Sequence, residues 1–275
     1  MNKLFVGYKP AYMTSNRFLT SFKKKLNDKN CGFSGTLDPF AKGCLIIAFG
    51  QYTKLFRFLN KSQKTYKATI WLGAQSTSLD IENIFEITES EKIEPNLLKY
   101  EIENLKGSHF YTPPKFSAKW IDGKRAYHLA RAGVEFEQKK VQMEVFKTQL
   151  ISYRHPFISF EATVSEGAYI RSLAQILLEK LQRLGTLSYL ERVSEGDFIF
   201  ENEKNLNPLK YLSIDENFSD LPKSHFENGK KLKIEDLAIQ KIGIYFIKFD
   251  THFSIIEIGS EKVKYLLNWI LLDGN

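Results

Sequence analysis

The chain has 275 residues, 43% of them hydrophobic, enough for one large domain or one domain plus a small appendage. A formal net charge of +7 favours a polyanionic partner, nucleic acid first among them. Two cysteines without C-x-x-C spacing and five scattered histidines argue against a disulfide framework or a zinc site. With no h-region and no membrane-length apolar run, the chain reads as soluble and cytoplasmic.

In chain order, a short strand over Leu4–Gly7 runs into the turn signal Lys9-Pro10. Thr14 or Ser15 can cap a helix with Phe18, Leu19, Phe22 and Leu26 on one face. Lys23, Lys24 and Lys25 suit the negative end of its dipole and read as a solvated face. A glycine- and proline-punctuated loop, Phe33 to Gly43, precedes an apolar strand, Cys44–Phe49. Thr53–Leu59 reads as a helical turn, and Thr65–Leu72 alternates as a half-buried strand. Gln75–Asn83 has no hydrophobic period and reads as a loop.

Pro95 opens a helix with Leu98, Ile102 and Leu105 at helical spacing, broken by Thr112-Pro113-Pro114. Val141–Tyr153 and Phe157–Val164 read as long strands. Ile170, Leu173, Leu177, Leu181 and Leu184 form a helix stripe ending before Gly185. Residues 205–224 look like a polar linker, and Ile242–Phe249 and Phe253–Ile258 point to a small β-rich tail. The expected class is α+β with a largely antiparallel mixed sheet flanked by helices, a first domain over 1–204 and a linker with tail over 205–275.

Four segments carry candidate chemistry. Asp38 sits between Gly35 and Gly43, directly before Pro39, which disfavours helix at Asp38 and stiffens the loop. A carboxylate on such a loop is either a turn former or a presented catalytic group. Tyr66 follows Lys64 at a strand start; Tyr169 and Arg171 lie at a strand-to-helix junction; Leu190 and Arg192 lie in a β-like run. Taken singly, each is a core or surface residue by default.

Their order and spacing resemble the TruB family of tRNA pseudouridine synthases. The landmarks are Lys9-Pro10, Thr14-Ser15-Asn16, Gly35-Thr36-Leu37-Asp38-Pro39 with Gly43, and Lys64 with Tyr66. Further along come Gly73 with Asp80, Pro113 through Gly133, Gly167 with Tyr169-Ile170-Arg171, and Tyr189-Leu190 with Arg192. The match covers about two-thirds of the chain.

The resemblance implies a pseudouridine-synthase catalytic domain and isomerisation of the uridine at position 55, in the T-loop of tRNA. The C1′–N1 bond breaks, the uracil turns, and a C1′–C5 bond forms, so no cofactor or metal is required. Asp38 would stabilise the sugar cation, attack C1′, or take a C2′ proton. Arg171 would pair with it, and Tyr66 would stack on the detached uracil and could help remove the C5 proton. Tyr169, Leu190, Phe33 and Asp80 would contact the flipped nucleotide. The expected partner is the T-arm of tRNA, bound by a monomer with no membrane or metal.

The chain departs from the family pattern in places. Tyr12 stands where the family usually has Gly, and Phe33-Ser34 stands for His-Thr, so Phe33 can stack but not donate a hydrogen bond. The 75–83 segment keeps Asp80 but lacks the usual Arg and closing Gly. Many relatives end in a PUA RNA-binding domain, and here only residues 226–230 hint at a reduced version. The competing reading is a non-catalytic tRNA-binding or RNA-chaperone protein using the same pocket. An aspartyl phosphatase is set aside because Phe40 occupies the position of its second carboxylate.

Overall fold

The structure is a computed structural model describing residues 1–272. It opens with β1 (Lys3–Lys9), then α1 (Ser15–Leu26), β2 (Cys31–Ser34), β3 (Lys42–Phe49) and a 3-10 helix over Gly50–Leu55. Next come β4 (Gln63–Leu72), β5 (Ala74–Ser76), β6 (Ile84–Ile87), α2 (Pro95–Glu103), β7 (Gly107–Tyr111), β8 (Trp120–Ile121), β9 (Lys124–Arg125) and α3 (Ala126–Arg131). The long strands β10 (Val141–Arg154) and β11 (Phe157–Ser165) lead into α4 (Ile170–Leu181), β12 (Gly185–Glu195) and β13 (Phe198–Ile199). The tail holds β14 (Asp215–Glu216), α5 (Lys223–Glu227), β15 (Gly243–Lys248), β16 (His252–Ile258) and β17 (Val263–Leu271).

The main sheet runs β1-β3-β12-β4-β11-β10-β7, with β2 added to β3 and β13 to β12. Every pairing in it is antiparallel except β12 with β3, so the α+β mixed sheet is present. The alternation of β4 sends Tyr66, Ala68, Ile70 and Leu72 to one face, where they meet β11, α2 and α4 in the largest core. Phe18, Leu19 and Phe22 of α1 cover Phe5, Leu45 and Ile47 in a second cluster. Thr14 caps α1 by accepting from the Arg17 amide at 3.2 Å.

Parallel pairing of β3 with β12 sets Arg192 opposite Gly43, and the backbones approach closely there. A Cβ on Gly43 would lie 2.2 Å from the Arg192 carbonyl oxygen, and φ is +115°, so glycine is required on both counts.

Several sequence expectations are corrected. The helical turn placed at Thr53–Leu59 is a 3-10 helix over Gly50–Leu55. The 75–83 loop holds β5 and a 3-10 turn over Ile81–Asn83, an arrangement its polar side chains hid. The α4 stripe stops at Leu181, because Gln182 takes the left-handed conformation (φ 52°) and Leu184 is exposed.

The 205–224 segment does not hang free. The Leu206 amide donates to the Leu4 carbonyl at 2.8 Å, and Leu206, Leu209, Tyr211 and Leu212 pack against a shared cluster. In that cluster Leu4, Val6, Ile46 and Phe198 meet Phe246, Phe253, Ile255 and Ile270 of the tail. The tail sheet, β14-β15-β16-β17, has one more long strand than its sequence suggested. Among the described residues no helix is long and apolar enough to cross a membrane.

Candidate active site

The Asp38 loop is tied down from both sides. The Leu37 amide donates to Ser15 Oγ at 3.1 Å, and the Ser15 hydroxyl lies 3.2 Å from the Leu37 carbonyl. The Met13 amide and Lys9 Nζ both donate to the Pro39 carbonyl, at 3.2 and 3.3 Å. Lys9 is completely buried and also donates to the carbonyls of Pro10 (2.9 Å) and Met13 (2.6 Å). Burial pulls its ammonium down to about 8. Leu37, Phe40 and Ala41 anchor the loop in the core, leaving the Asp38 side chain 28% exposed.

Arg171 comes from the first turn of α4, whose dipole disfavours a cation. Two carboxylates offset that cost: Asp38 Oδ2 lies 2.9 Å from Nη2, and Asp80 Oδ2 lies 3.3 Å from Nη1. The guanidinium also donates to the carbonyls of Ser78 (2.7 Å) and Phe116 (2.8 Å). One planar fork therefore joins three loops to the strand-to-helix junction that carries it. Asp38 Oδ1 has no partner among the described residues.

Asp80 lies behind the guanidinium, not on the cavity wall. It is 2% exposed, and its Oδ1 accepts from the Ser78 hydroxyl (2.6 Å) and the Glu82 amide (3.0 Å). Burial raises its carboxyl above the ordinary range, against the pull of the Ser78 hydrogen bond and the Arg171 charge.

Gly35, Thr36, Leu37 and Asp38, with Tyr66, Tyr169, Arg171 and Leu190, line one cavity of about 290 Å³. Ligand clefts usually run from about 300 Å³ upward, so this one suits a single nucleoside better than a duplex. Tyr66 is buried and its phenol is pushed up, chiefly by burial; the charge of Arg192 and a side-chain hydrogen bond with it oppose the shift. Burial likewise raises Tyr169. Phe33 stands apart on β2, half-buried against the α1 cluster, and does not line the cavity.

Lys64 and Arg192 also line the cavity, and behind them stands a residue that sequence reasoning missed, Glu195. Its signal lay only in the register of β12 on β4, which sets Arg192 opposite Tyr66 and Glu195 opposite Lys64. Among the described residues no three His, Cys, Asp or Glu side chains gather to hold a metal.

The family model described as TruB family pseudouridylate synthase (N terminal domain) matches residues 23–170. A protein named tRNA pseudouridine synthase B from Campylobacter jejuni (strain RM1221) is 54% identical over 269 residues, 98% of each chain. Proteins of the same name from Sulfurovum sp. and Campylobacter concisus are each 50% identical, again over 98% of each chain. Among solved structures, a chain of a Cbf5-Nop10-Gar1 complex shares the fold at a TM-score of 0.67 and 16% identity. That likeness covers 98% of this chain and 84% of that one. With a cavity built from Asp38, Tyr66 and Arg171 and relatives half identical end to end, this chain belongs to the TruB family.

Proposed function

We propose that the protein is a tRNA pseudouridine synthase that isomerises the uridine at position 55 of the T-loop, with Asp38 as its catalytic carboxylate. The observation that carries this reading is the Arg171–Asp38 pair at 2.9 Å in a nucleoside-sized cavity walled by Tyr66. The relatives' shared name supports the reaction and the RNA substrate.

The target uridine leaves its stack and enters the cavity. Arg171 engages Asp38 Oδ2, leaving Oδ1 directed to the sugar. As the C1′–N1 bond breaks, the electron pair stays on the uracil. The carboxylate then compensates the cationic sugar by charge, by a bond to C1′, or by taking a C2′ proton. The uracil turns against Tyr66 and C5 attacks C1′; as it does, any bond from the carboxylate to C1′ breaks, or the C2′ proton it took returns. The C5 proton then passes to solvent and N1 takes one from solvent, so atoms balance without a cofactor. Because burial raises its pKa, Tyr66 enters the reaction as a neutral phenol, suited to stacking and hydrogen bonding. Tyr169 and Leu190 hold the flipped nucleotide. Asp80 serves it indirectly by fixing Arg171, and Phe33, outside the cavity, faces RNA next to the flipped base.

The +7 charge and the exposed Lys230, Lys231 and Lys233 suit a structured RNA read by backbone and shape. The tail sheet acts here as a reduced PUA-like module. The test is carbodiimide treatment of a tRNA transcript incubated with the protein, followed by primer extension. A stop at the T-loop uridine supports the reading; tRNA bound without any stop would favour the non-catalytic chaperone.

A further inference from the structure

Glu195 is fully buried, and neither of its carboxylate oxygens has a hydrogen-bond partner among the described residues. What it has is charge on both sides: Lys64 Nζ lies 3.3 Å from Oε1 and Arg192 Nη2 lies 3.3 Å from Oε2. Both cations also line the cavity that Asp38 lines. Arg192 is spread further, donating from Nε to the Cys44 carbonyl and from Nη2 to the Gly35 carbonyl, each at 2.8 Å. Gly35 lies flat over the pair: a Cβ there would sit 2.8 Å from Glu195 Oε2 and 3.0 Å from Arg192 Nη1.

This arrangement answers an electrostatic problem. Two buried like charges repel, and each is attracted to the nearest free carboxylate. Without a counter-charge behind them, the one carboxylate among the described residues lining their cavity is Asp38, whose productive partner is Arg171. We propose that Glu195 is a positioning residue that holds Lys64 and Arg192 at the back of the cavity. It thereby keeps both cations off Asp38, fixes the Gly35 end of the Asp38 loop and holds Arg192 in place opposite Tyr66. The proposal rests on the reading of this cavity as the uridine-isomerising site.

The test compares wild type, Glu195→Gln and Glu195→Asp in a tritium-release assay on tRNA transcript carrying C5-labelled uridine, with circular dichroism of each protein. Wild-type release establishes the underlying reaction; its absence would fail the functional reading without reference to Glu195. Given wild-type release, Glu195→Gln lowers kcat at least ~10-fold while KM for tRNA changes less than ~3-fold. Glu195→Asp, which keeps the charge one methylene further back, recovers part of that kcat. Wild-type kcat in a folded Glu195→Gln protein overturns the proposal. So does a loss confined to KM, an Asp variant no better than Gln, or failure of both variants to fold, which would make the carboxylate purely structural.

Discussion

Arg171 meets Asp38 at 2.9 Å across 133 residues of sequence, and it is the more buried of the two, 2% exposed against 28%. The arginine is the fixed partner: carbonyls of Ser78 and Phe116 and the Asp80 carboxylate also hold its two Nη nitrogens. Asp38 is the partner that reaches into the cavity.

Replacing Arg171 by Lys keeps one charge but loses the planar fork that spans Asp38 and Asp80 together. Turnover falls about 100-fold or more, and the melting temperature falls as well, because the Ser78 and Phe116 carbonyls lose donors in a buried site. Steady-state kinetics beside a melting curve check both halves. Wild-type turnover would demote Arg171 to a scaffold residue.

Asp80→Asn gives a pH-dependent stability difference whose sign is fixed. Burial raises the Asp80 carboxyl in the folded chain, so above the ordinary range, near pH 4, the folded state holds a proton that the unfolded state has released. Stability contributed at this site therefore falls as pH rises through that window. Asn, always neutral, escapes the fall, so its melting temperature gains on wild type as pH rises above about 4. Its turnover drops because Arg171 loses a brace. A variant-minus-wild-type melting difference that falls as pH rises would contradict the assignment.

Tyr66→Phe and Tyr66→Leu separate ring from hydroxyl. Phe keeps the stacking face, worth roughly 1–3 kcal/mol per base, and tRNA affinity with it. Leu loses the ring and with it the ability to hold the detached uracil. Single-turnover rates for the two variants give the comparison; equal activity of Leu and wild type would return Tyr66 to the strand core.

The fold was legible where the pattern is strong, and so was most of the candidate site. The β4 alternation, the α4 stripe and the Gly-Asp-Pro loop read directly from the sequence, and Asp38, Tyr66, Tyr169, Arg171 and Leu190 do line one cavity. What did not read were relations set by strand register. Glu195 gains its place only because β12 lies on β4 with Glu195 opposite Lys64. The docking of the tail was hidden for a similar reason. Phe253, Ile255 and Ile270 look like an independent small core until Leu4, Val6 and Ile46 are found in the same cluster.

That shared cluster shapes the test of the tail. Deleting it would strip an apolar face from β1 and β3, so its RNA role is better probed on the surface. Changing Lys230, Lys231 and Lys233 together to Gln weakens tRNA binding. It also reduces the log–log salt slope by roughly 0.7–0.9 for each phosphate that is no longer neutralised. Titrations at several salt concentrations check this, and unchanged slopes would remove the tail from the RNA interface.

The most direct test of the account is Asp38→Asn in the tritium-release assay, paired with a tRNA-binding titration. Wild type releases tritium from the T-loop uridine. The Asn variant binds tRNA within a few-fold of wild type and releases none, because an amide cannot serve as nucleophile or base. Substantial release by a purified Asp38→Asn protein would contradict the account at its centre.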